Sequence, residues 1–324
     1  MLDKNILLTL QNVNQELKND IQNVFNPALV KDQLITKGEF FNAQKLSPSQ
    51  LIKKTTEKPI LAVDGSRVEY GSFYPYSLAF FRSLAGTTSN IFLERTQLVS
   101  PLTPETYEII SKLAQENNLL EEDAYILFLK NSLAQMELRT VLELIKGLVP
   151  YMILLDGGFL LFDKFPEWQT LVAECLNNNI ILVGVIEEVA TAELAPMLNI
   201  NLAKRARVYD REIIFGLFSQ GEYFKFYPEN KIKKDYATVF ARLSTLPQAI
   251  ACDFLGEQEG LIIESMDVIN SLTPVNGQGI PVWLQLIDAK VRLKKKDIDR
   301  ILYTTLDRDI MERYFIPNRE RRIY

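Results

Sequence analysis

Two aspartates in this chain each close a short apolar run and are followed at once by glycine: Asp64 in PILAVDGSRVEYG (59–71) and Asp156 in YMILLDGGFLLF (151–162). The runs Ile60 to Val63 and Met152 to Leu155 have the unbroken hydrophobicity of central strands buried on both faces. A carboxylate at the end of such a strand loses hydration and needs a compensating partner. Each aspartate also sits beside residues small enough to let backbone or ligand approach closely, Gly65 and Ser66 in one case, Gly157 and Gly158 in the other, which points to one shared site at the strand ends. The partner suited to converging carboxylates is a hard divalent cation bound through oxygen, Mg²⁺ or Mn²⁺. Taken singly, each Asp-Gly pair is also an ordinary turn signal, because Asp bonds its own backbone and Gly accepts positive φ. It is the recurrence after two central-type strands that favours a site.

Such a site suits hydrolysis of a phosphodiester. That reaction needs an activated water and stabilisation of charge on the attacking and leaving oxygens, and two cations ~4 Å apart held by carboxylates supply both. The chain has no histidine, which excludes Ser-His-Asp and Cys-His nucleophile schemes, histidine general bases and His/Cys zinc sites. Carboxylates, Lys and Tyr are left for any proton chemistry. Acids crowded together without a cation repel one another and raise their pKa values, so cation binding is expected to stabilise the fold. Arg67, directly after the first motif, is a candidate phosphate contact, since guanidinium addresses phosphate oxygens bidentately; the alternative is a surface arginine on a turn. Phe73, Tyr74 and Tyr76 are candidates for stacking bases in a single-strand channel, although strand aromatics are more often core.

The elements that must position these residues can be read from periodicity. Residues 3–24 form an amphipathic helix, with Ile6, Leu7, Leu10, Val13, Leu17, Ile21 and Val24 at helical spacing. It ends at Asn26-Pro27 and reads as an arm ahead of the core, followed by a mixed, polar connector from Asp32 to Lys58. Strand 60–63 leads into aromatic and β-branched segments broken by Gly71, Gly86 and Thr87-Thr88, an antiparallel meander. Residues 104–147 are helical, opening at Thr103-Pro104-Glu105 and stopping at Gly147 and Pro150. Strand 151–156, a helix over 166–178 and a third buried strand in 179–188 make a βαβ crossover. A helix near 210–219, strands near 222–227, 237–243 and 248–254, and a final helix from Pro281 to about Thr305 complete the chain.

With 324 residues, 47% of them hydrophobic, the chain can bury a full core. The N-terminus lacks a basic start and an apolar signal core, and the apolar run at 152–162 is interrupted by Asp156, so a cytoplasmic protein with no membrane span is expected. Cys175 and Cys252 are too few for a disulfide framework. No GxxxxGK[ST] string occurs, so the chain supplies no ATP-driven motor of its own. The net charge of −5 is not that of a typical nucleic-acid binder, yet KVRLKKKDIDR (290–300) and NRERRIY (318–324) stand against acids gathered in 105–123 and 253–267, leaving room for a basic face. The alternative for 290–300 is a solvated helix face with Val291, Leu293, Ile298, Ile301 and Leu302 inward.

The order of strand with Asp, meander, helix, strand with Asp and crossover suits a ribonuclease H-like α/β core, a mixed β-sheet flanked by helices. Four blocks go further. VDGSR at 63–67, MELR at 136–139, LLDGGFL at 154–160 and GIPVWLQLIDAKVRL at 279–293 resemble the NurA family of DNA-end-processing nucleases, over about residues 58 to 305. The resemblance implies Asp64 and Asp156 as ligands of Mn²⁺ or Mg²⁺, Glu137 as the acidic helical ligand with Glu143 as the lesser candidate, and Asp288 as a fourth ligand where the family often has histidine. Ile280 stands where the family has a tyrosine before proline, and Glu187-Glu188 stand where it tends to carry a lysine. It further implies a metal-dependent DNA nuclease, a 5′–3′ exonuclease and single-strand endonuclease acting on DNA ends in recombination and repair. The implied assembly is a homodimer partnered with a HerA-type hexameric ATPase. The expected organisation is an arm and connector over 1–57, the nuclease domain over 58–310 and a basic tail over 311–324. The rival readings are a catalytically weak, nuclease-derived DNA-binding protein and a metal-dependent phosphatase or nucleotide hydrolase.

Overall fold

The computed structural model describes residues 4–23, 25–55, 58–200 and 207–316. Val24 of the expected arm and the basic segment 318–324 of the expected tail lie outside the described residues. In chain order the elements are α1 (Lys4–Asn23), α2 (Pro27–Leu34), β1 (Gly38–Asn42), α3 (Pro48–Thr55), β2 (Ile60–Phe73), β3 (Tyr76–Thr87) and β4 (Phe92–Val99). Then come α4 (Pro104–Asn117), α5 (Glu121–Ile145), β5 (Met152–Asp156), α6 (Pro166–Asn177), β6 (Ile181–Ile186), α7 (Leu194–Met197) and α8 (Asp210–Ile214). The last are β7 (Glu222–Phe226), β8 (Tyr236–Ala241), β9 (Ile250–Leu255), α9 (Ile262–Leu272), α10 (Val282–Val291) and α11 (Lys295–Thr305). The nine strands form a mixed sheet in the order β1-β7-β8-β9-β6-β5-β2-β3-β4. The chain divides into two compact units: one comprises residues 1–53, 157–159 and 183–282, the other 54–156, 160–182 and 283–324.

The second of these units holds all four acidic candidates. Its β2, β3 and β4 pair antiparallel in sequence order, as the meander pattern predicts, and β2 pairs in parallel with β5 from Ile60↔Met152 to Val63↔Leu155. The face of β3 bearing Ala79 and Phe81 packs under α4 and α5, in a cluster with Ile110, Tyr125, Leu129 and Met136. Pro104 opens α4, and Asn118 closes it in the left-handed region with φ 51°, a conformation Asn tolerates better than most residues. The opposite face of β2 and β3 packs Val68, Tyr70, Leu78 and Phe80 against Ile298 and Leu302 of α11. The helix expected over 281–305 is broken here: α10 ends at Val291 and α11 starts at Lys295. Periodicity along one element could not reveal the cause, which is tertiary. The Leu293 N–H donates to Ser66 Oγ at 3.1 Å, and Arg82 Nη1 donates to the Lys290 carbonyl at 2.9 Å, satisfying a backbone acceptor at the end of α10.

In the other unit, β1, β7, β8 and β9 are antiparallel neighbours and β6 pairs antiparallel with β9. The polar stretch read as a connector contains β1, whose GEFFN sequence pairs Phe40 with Phe224 and Phe41 with Tyr223. Phe40 meets Phe224 at 4.8 Å and Phe41 stacks on Tyr223 at 5.4 Å between ring centroids. Two phenylalanines in a polar setting are a weak local signal, and the partner strand lies far along the chain. The helix expected near 210–219 stops at Ile214, ahead of Gly216 with φ +68°. Helix α9, with Ile262, Met266 and Ile269 buried, was not foreseen. The arm does form α1, and Ile6, Leu7, Leu10, Val13, Leu17 and Ile21 are exposed along it. Among the described residues no helix is long and apolar enough to cross a membrane.

Candidate active site

The parallel register of β2 and β5 sets the first pair of carboxylates. Val63 is opposite Leu155, so the next residue on each strand, Asp64 and Asp156, leaves the paired region at the same end. The two side chains share a hydrogen bond, and Asp64 Oδ1 accepts from the Gly65 N–H at 2.6 Å. Asp64 is buried.

The third carboxylate comes from α5. Glu137 is buried, and it reaches β2 beside Asp64 because residue 65 is glycine. A Cβ at Gly65 would lie 2.7 Å from Leu133 Cδ1 and closer still to Glu137 Oε1. Leu133 and Glu137 are one turn apart and lie over this position together. The rival acid, Glu143, is exposed and paired with Lys146 at 2.6 Å. Six residues separate the two acids, which puts them about 120° apart around the helix.

Asp288 comes from α10, which is fixed on β3 by the indole N–H of Trp283 donating to the Gly86 carbonyl at 2.9 Å. Ile287 packs so closely on Gly86 that a Cβ there would lie 2.7 Å from Ile287 Cδ1. Asp288 acts electrostatically on Asp64 and is itself ion-paired with Arg292 at 2.7 Å. The structure thus brings Asp64, Glu137 and Asp156 together, with Asp288 at their margin.

The electrostatics follow from crowding. Burial, then the charge of Asp156, push the Asp64 carboxyl up to about 7; the Gly65 N–H acts against this and Asp288 adds to it. Burial holds Glu137 well above the usual carboxylate range, with Asp64 and Asp156 adding to the effect. The charges that weigh on these groups are carboxylates. A hydrogen bond between two carboxyl groups also requires a proton on one of them. Among the described residues no group of three or more acidic or cysteine side chains is arranged to hold a metal ion as it stands. The donor set itself, all-oxygen, mutually repelling and buried at Asp64 and Glu137, fits Mg²⁺ or Mn²⁺.

The nucleic-acid candidates lie apart. Arg67 is three residues beyond Asp64, hence on the opposite face of β2, and is paired with Glu69 at 2.9 Å. Tyr74 and Tyr76 are at the β2–β3 reversal, roughly 30 Å along the strand from Asp64. The Tyr74 hydroxyl donates to Glu121 and its ring packs against Tyr125, while Tyr76 stacks on Tyr314 at 4.7 Å. Phe73 is largely exposed. Of the two noted departures, Ile280 is buried and Glu187-Glu188 follow the end of β6.

Two features escaped sequence reasoning. Arg292 is one of several bases in the run at 290–300, yet it is bonded to Asp288 at the margin of the cluster. In the other unit, buried Asp253 accepts from Lys233 Nζ at 2.7 Å, Thr238 Oγ1 at 2.7 Å and the Phe159 N–H at 3.0 Å. A Cβ on Gly158 would lie 3.0 Å from Asp253 Oδ2 and 3.3 Å from Lys233 Nζ, so this buried pair holds the Gly157–Phe159 loop that follows Asp156. The signal was present for Asp253, a lone acid inside the apolar strand IACDFL. It was absent for Lys233, one of four residues in the polar run KIKK.

The geometry matches known proteins. The NurA domain model matches residues 58–293. The chain belongs to the NurA domain family. The NurA nuclease of Sulfolobus solfataricus superposes with a TM-score of 0.57 at 14% identity, covering 95% of this chain and 99% of that one. This NurA chain therefore has the ribonuclease H-like α/β fold, with all four acidic candidates inside the matched region and the N-terminal arm outside it. The catalytic domain of human endonuclease V matches more loosely, with a TM-score of 0.38 at 13% identity over 85% of this chain and 96% of that one. Ciona intestinalis endonuclease V, in complex with a 24mer DNA, matches with a TM-score of 0.37 at 14% identity over 90% and 99%. No curated protein matches the chain.

Proposed function

We propose that this NurA chain is a divalent-metal-dependent DNA nuclease in which Asp64, Glu137, Asp156 and Asp288 bind Mg²⁺ or Mn²⁺. The observation that carries the reading is the Asp64–Asp156 hydrogen bond with buried Glu137 packed beside it, Asp64 and Glu137 both raised in pKa first by burial and then by neighbouring carboxylates, Asp156 among them. A bound cation would neutralise the three acids and supply Lewis-acid activation of water and stabilisation of the leaving oxygen. The protein's own part is to hold the carboxylates on three rigid elements, β2, β5 and α5, and to keep Glu137 out of water. Arg292 is better placed than Arg67 to meet a phosphate near the cluster, because it is bonded to Asp288 whereas Arg67 is bonded to Glu69 on its own strand.

Action at DNA ends, 5′–3′ exonuclease with single-strand endonuclease activity, homodimerisation and partnership with a HerA-type ATPase belong to the same proposal. The exposed apolar stripe of α1 supports an association role on this chain. The pairing of Asp288 with Arg292 favours one second reading, a DNA-binding protein with weak catalysis. One experiment separates them. End-labelled single- and double-stranded DNA is incubated with the protein in Mg²⁺, Mn²⁺ or EDTA, alongside Asp64→Asn and Asp156→Asn. The nuclease reading expects metal-dependent cleavage that falls by at least about a hundredfold in both variants, since each removes a charge from the cation site. Salt-sensitive binding without cleavage supports the second reading. Full activity in both variants overturns the site.

A further inference from the structure

On β3, alternation places Ala79, Phe81, Ser83 and Ala85 on the face that α5 covers, and Ser83 brings the hydroxyl to that row. Ser83 is fully buried, and its Oγ has no hydrogen-bond partner among the described residues. Neighbouring buried hydroxyls are satisfied: Ser77 is bonded to the Tyr125 hydroxyl at 2.9 Å, and Thr140 donates to the Met136 carbonyl at 2.7 Å. A hydroxyl taken out of water and bonded to nothing is costly, and alanine at this position would pack as Ala79 and Ala85 do. The serine therefore calls for a partner.

The strand register identifies it. Ser83 lies directly opposite Gly65 on β2, and opposed residues of an antiparallel pair put their Cβ positions about 5 Å apart on the same face. Gly65 has no side chain. The space is filled from above by α5, with Leu133 Cδ1 at 2.7 Å from the position a Cβ would take and Glu137 Oε1 closer still. The Glu137 carboxyl therefore lies over the strand pair that carries Ser83. On the other side Ser83 is opposed by Arg95 of β4, which is exposed and acts on the exposed Glu143 instead.

We propose that Ser83 is a positioning residue for Glu137: with the divalent cation bound, its hydroxyl donates to one oxygen of the Glu137 carboxylate and leaves the other facing the cation. The inference rests on the metal-site reading above and deepens it. It explains why a hydroxyl is kept in an apolar row beside the one glycine through which Glu137 enters. A hydrogen-bond donor to a ligand carboxylate fixes its rotamer and so raises cation affinity.

The test uses the full chain and Mn²⁺ alone, followed by isothermal titration calorimetry and by the electron paramagnetic resonance signal of free Mn²⁺. Ser83→Ala is expected to weaken Mn²⁺ binding about tenfold, the scale on which removal of a ligand's hydrogen-bond partner acts. Its melting temperature in EDTA is expected to stay level or rise, because an unsatisfied hydroxyl has been removed from the core. Unchanged Mn²⁺ affinity in Ser83→Ala, with the wild type binding, overturns this inference alone. A variant that loses stability in EDTA, or does not fold, shows a structural role and also overturns it. Wild-type protein that binds no Mn²⁺ overturns the metal-site reading and this inference with it.

Discussion

Asp64 and Asp156 share a hydrogen bond where the parallel pairing of β2 with β5 ends, so the pair stores a proton that a bound cation must displace. This gives the metal-free protein a defined pH dependence. The Asp64 carboxyl titrates at about 7 in the folded chain and near ~4 when unfolded. Between those values the native state binds more protons than the unfolded state, so stability falls as pH rises. The loss starts above the unfolded value and is complete once pH has passed the folded one; Glu137, also raised, acts in the same direction. In EDTA the melting temperature is therefore expected to be lower at pH 8 than at pH 5.5, and added Mn²⁺ to raise it more at pH 8. Thermal melts at the two pH values check this, and a higher metal-free melting temperature at pH 8 refutes the stored-proton account.

Gly65 is the position through which Glu137 enters, and a methyl group there collides with Leu133 and the Glu137 carboxylate. Gly65→Ala is expected to push α5 off the strand end, at a cost of about 1–3 kcal/mol for overpacking. Mn²⁺ affinity and DNA cleavage should fall together by at least about tenfold, on the scale of a disturbed ligand. Calorimetry with Mn²⁺ and a melt in EDTA measure both effects. A variant with native stability and native Mn²⁺ affinity would show that Glu137 is not held by this approach.

The parts of the site that were legible in sequence are those written in local pattern. Asp64 and Asp156 each end an apolar tetrad and precede glycine, and this pattern predicts that they stand side by side, as they do where the pairing of β2 with β5 ends, although β2 itself runs on to Phe73. Glu137 is different: helical spacing on α5 does not distinguish it from Glu143 without the family resemblance, and only the packing of α5 over Gly65 shows which acid turns inward. Arg67 follows the first motif in sequence, but alternation turns it to the face of β2 opposite Asp64, where its partner is Glu69. The Lys233–Asp253 pair and the β1–β7 pairing depend on contacts 20 or more residues apart, which periodicity does not encode. The break between α10 and α11 was illegible for the same reason, since it depends on Ser66 and Arg82.

The arm presents a last expectation. Ile6, Leu7, Leu10, Val13, Leu17 and Ile21 remain exposed on α1 at 45–59% of their full area, although a 20-residue helix owes most of its stability in water to burial of such a face. At the end of α1, Leu17 and Ile21 line a cavity of about 650 Å³ with Phe25, Pro27 and Phe215, so the apolar surface continues onto the body of that unit. An intramolecular role for the stripe would leave these side chains covered, and they are not. On the proposed reading, deleting residues 1–27 leaves a folded protein that has lost the proposed association, with itself or with a HerA-type ATPase. Light scattering reports the first and a pull-down with the ATPase the second. An unchanged dimer that still binds its partner rules out both roles, and an insoluble product shows instead that the arm is needed to fold.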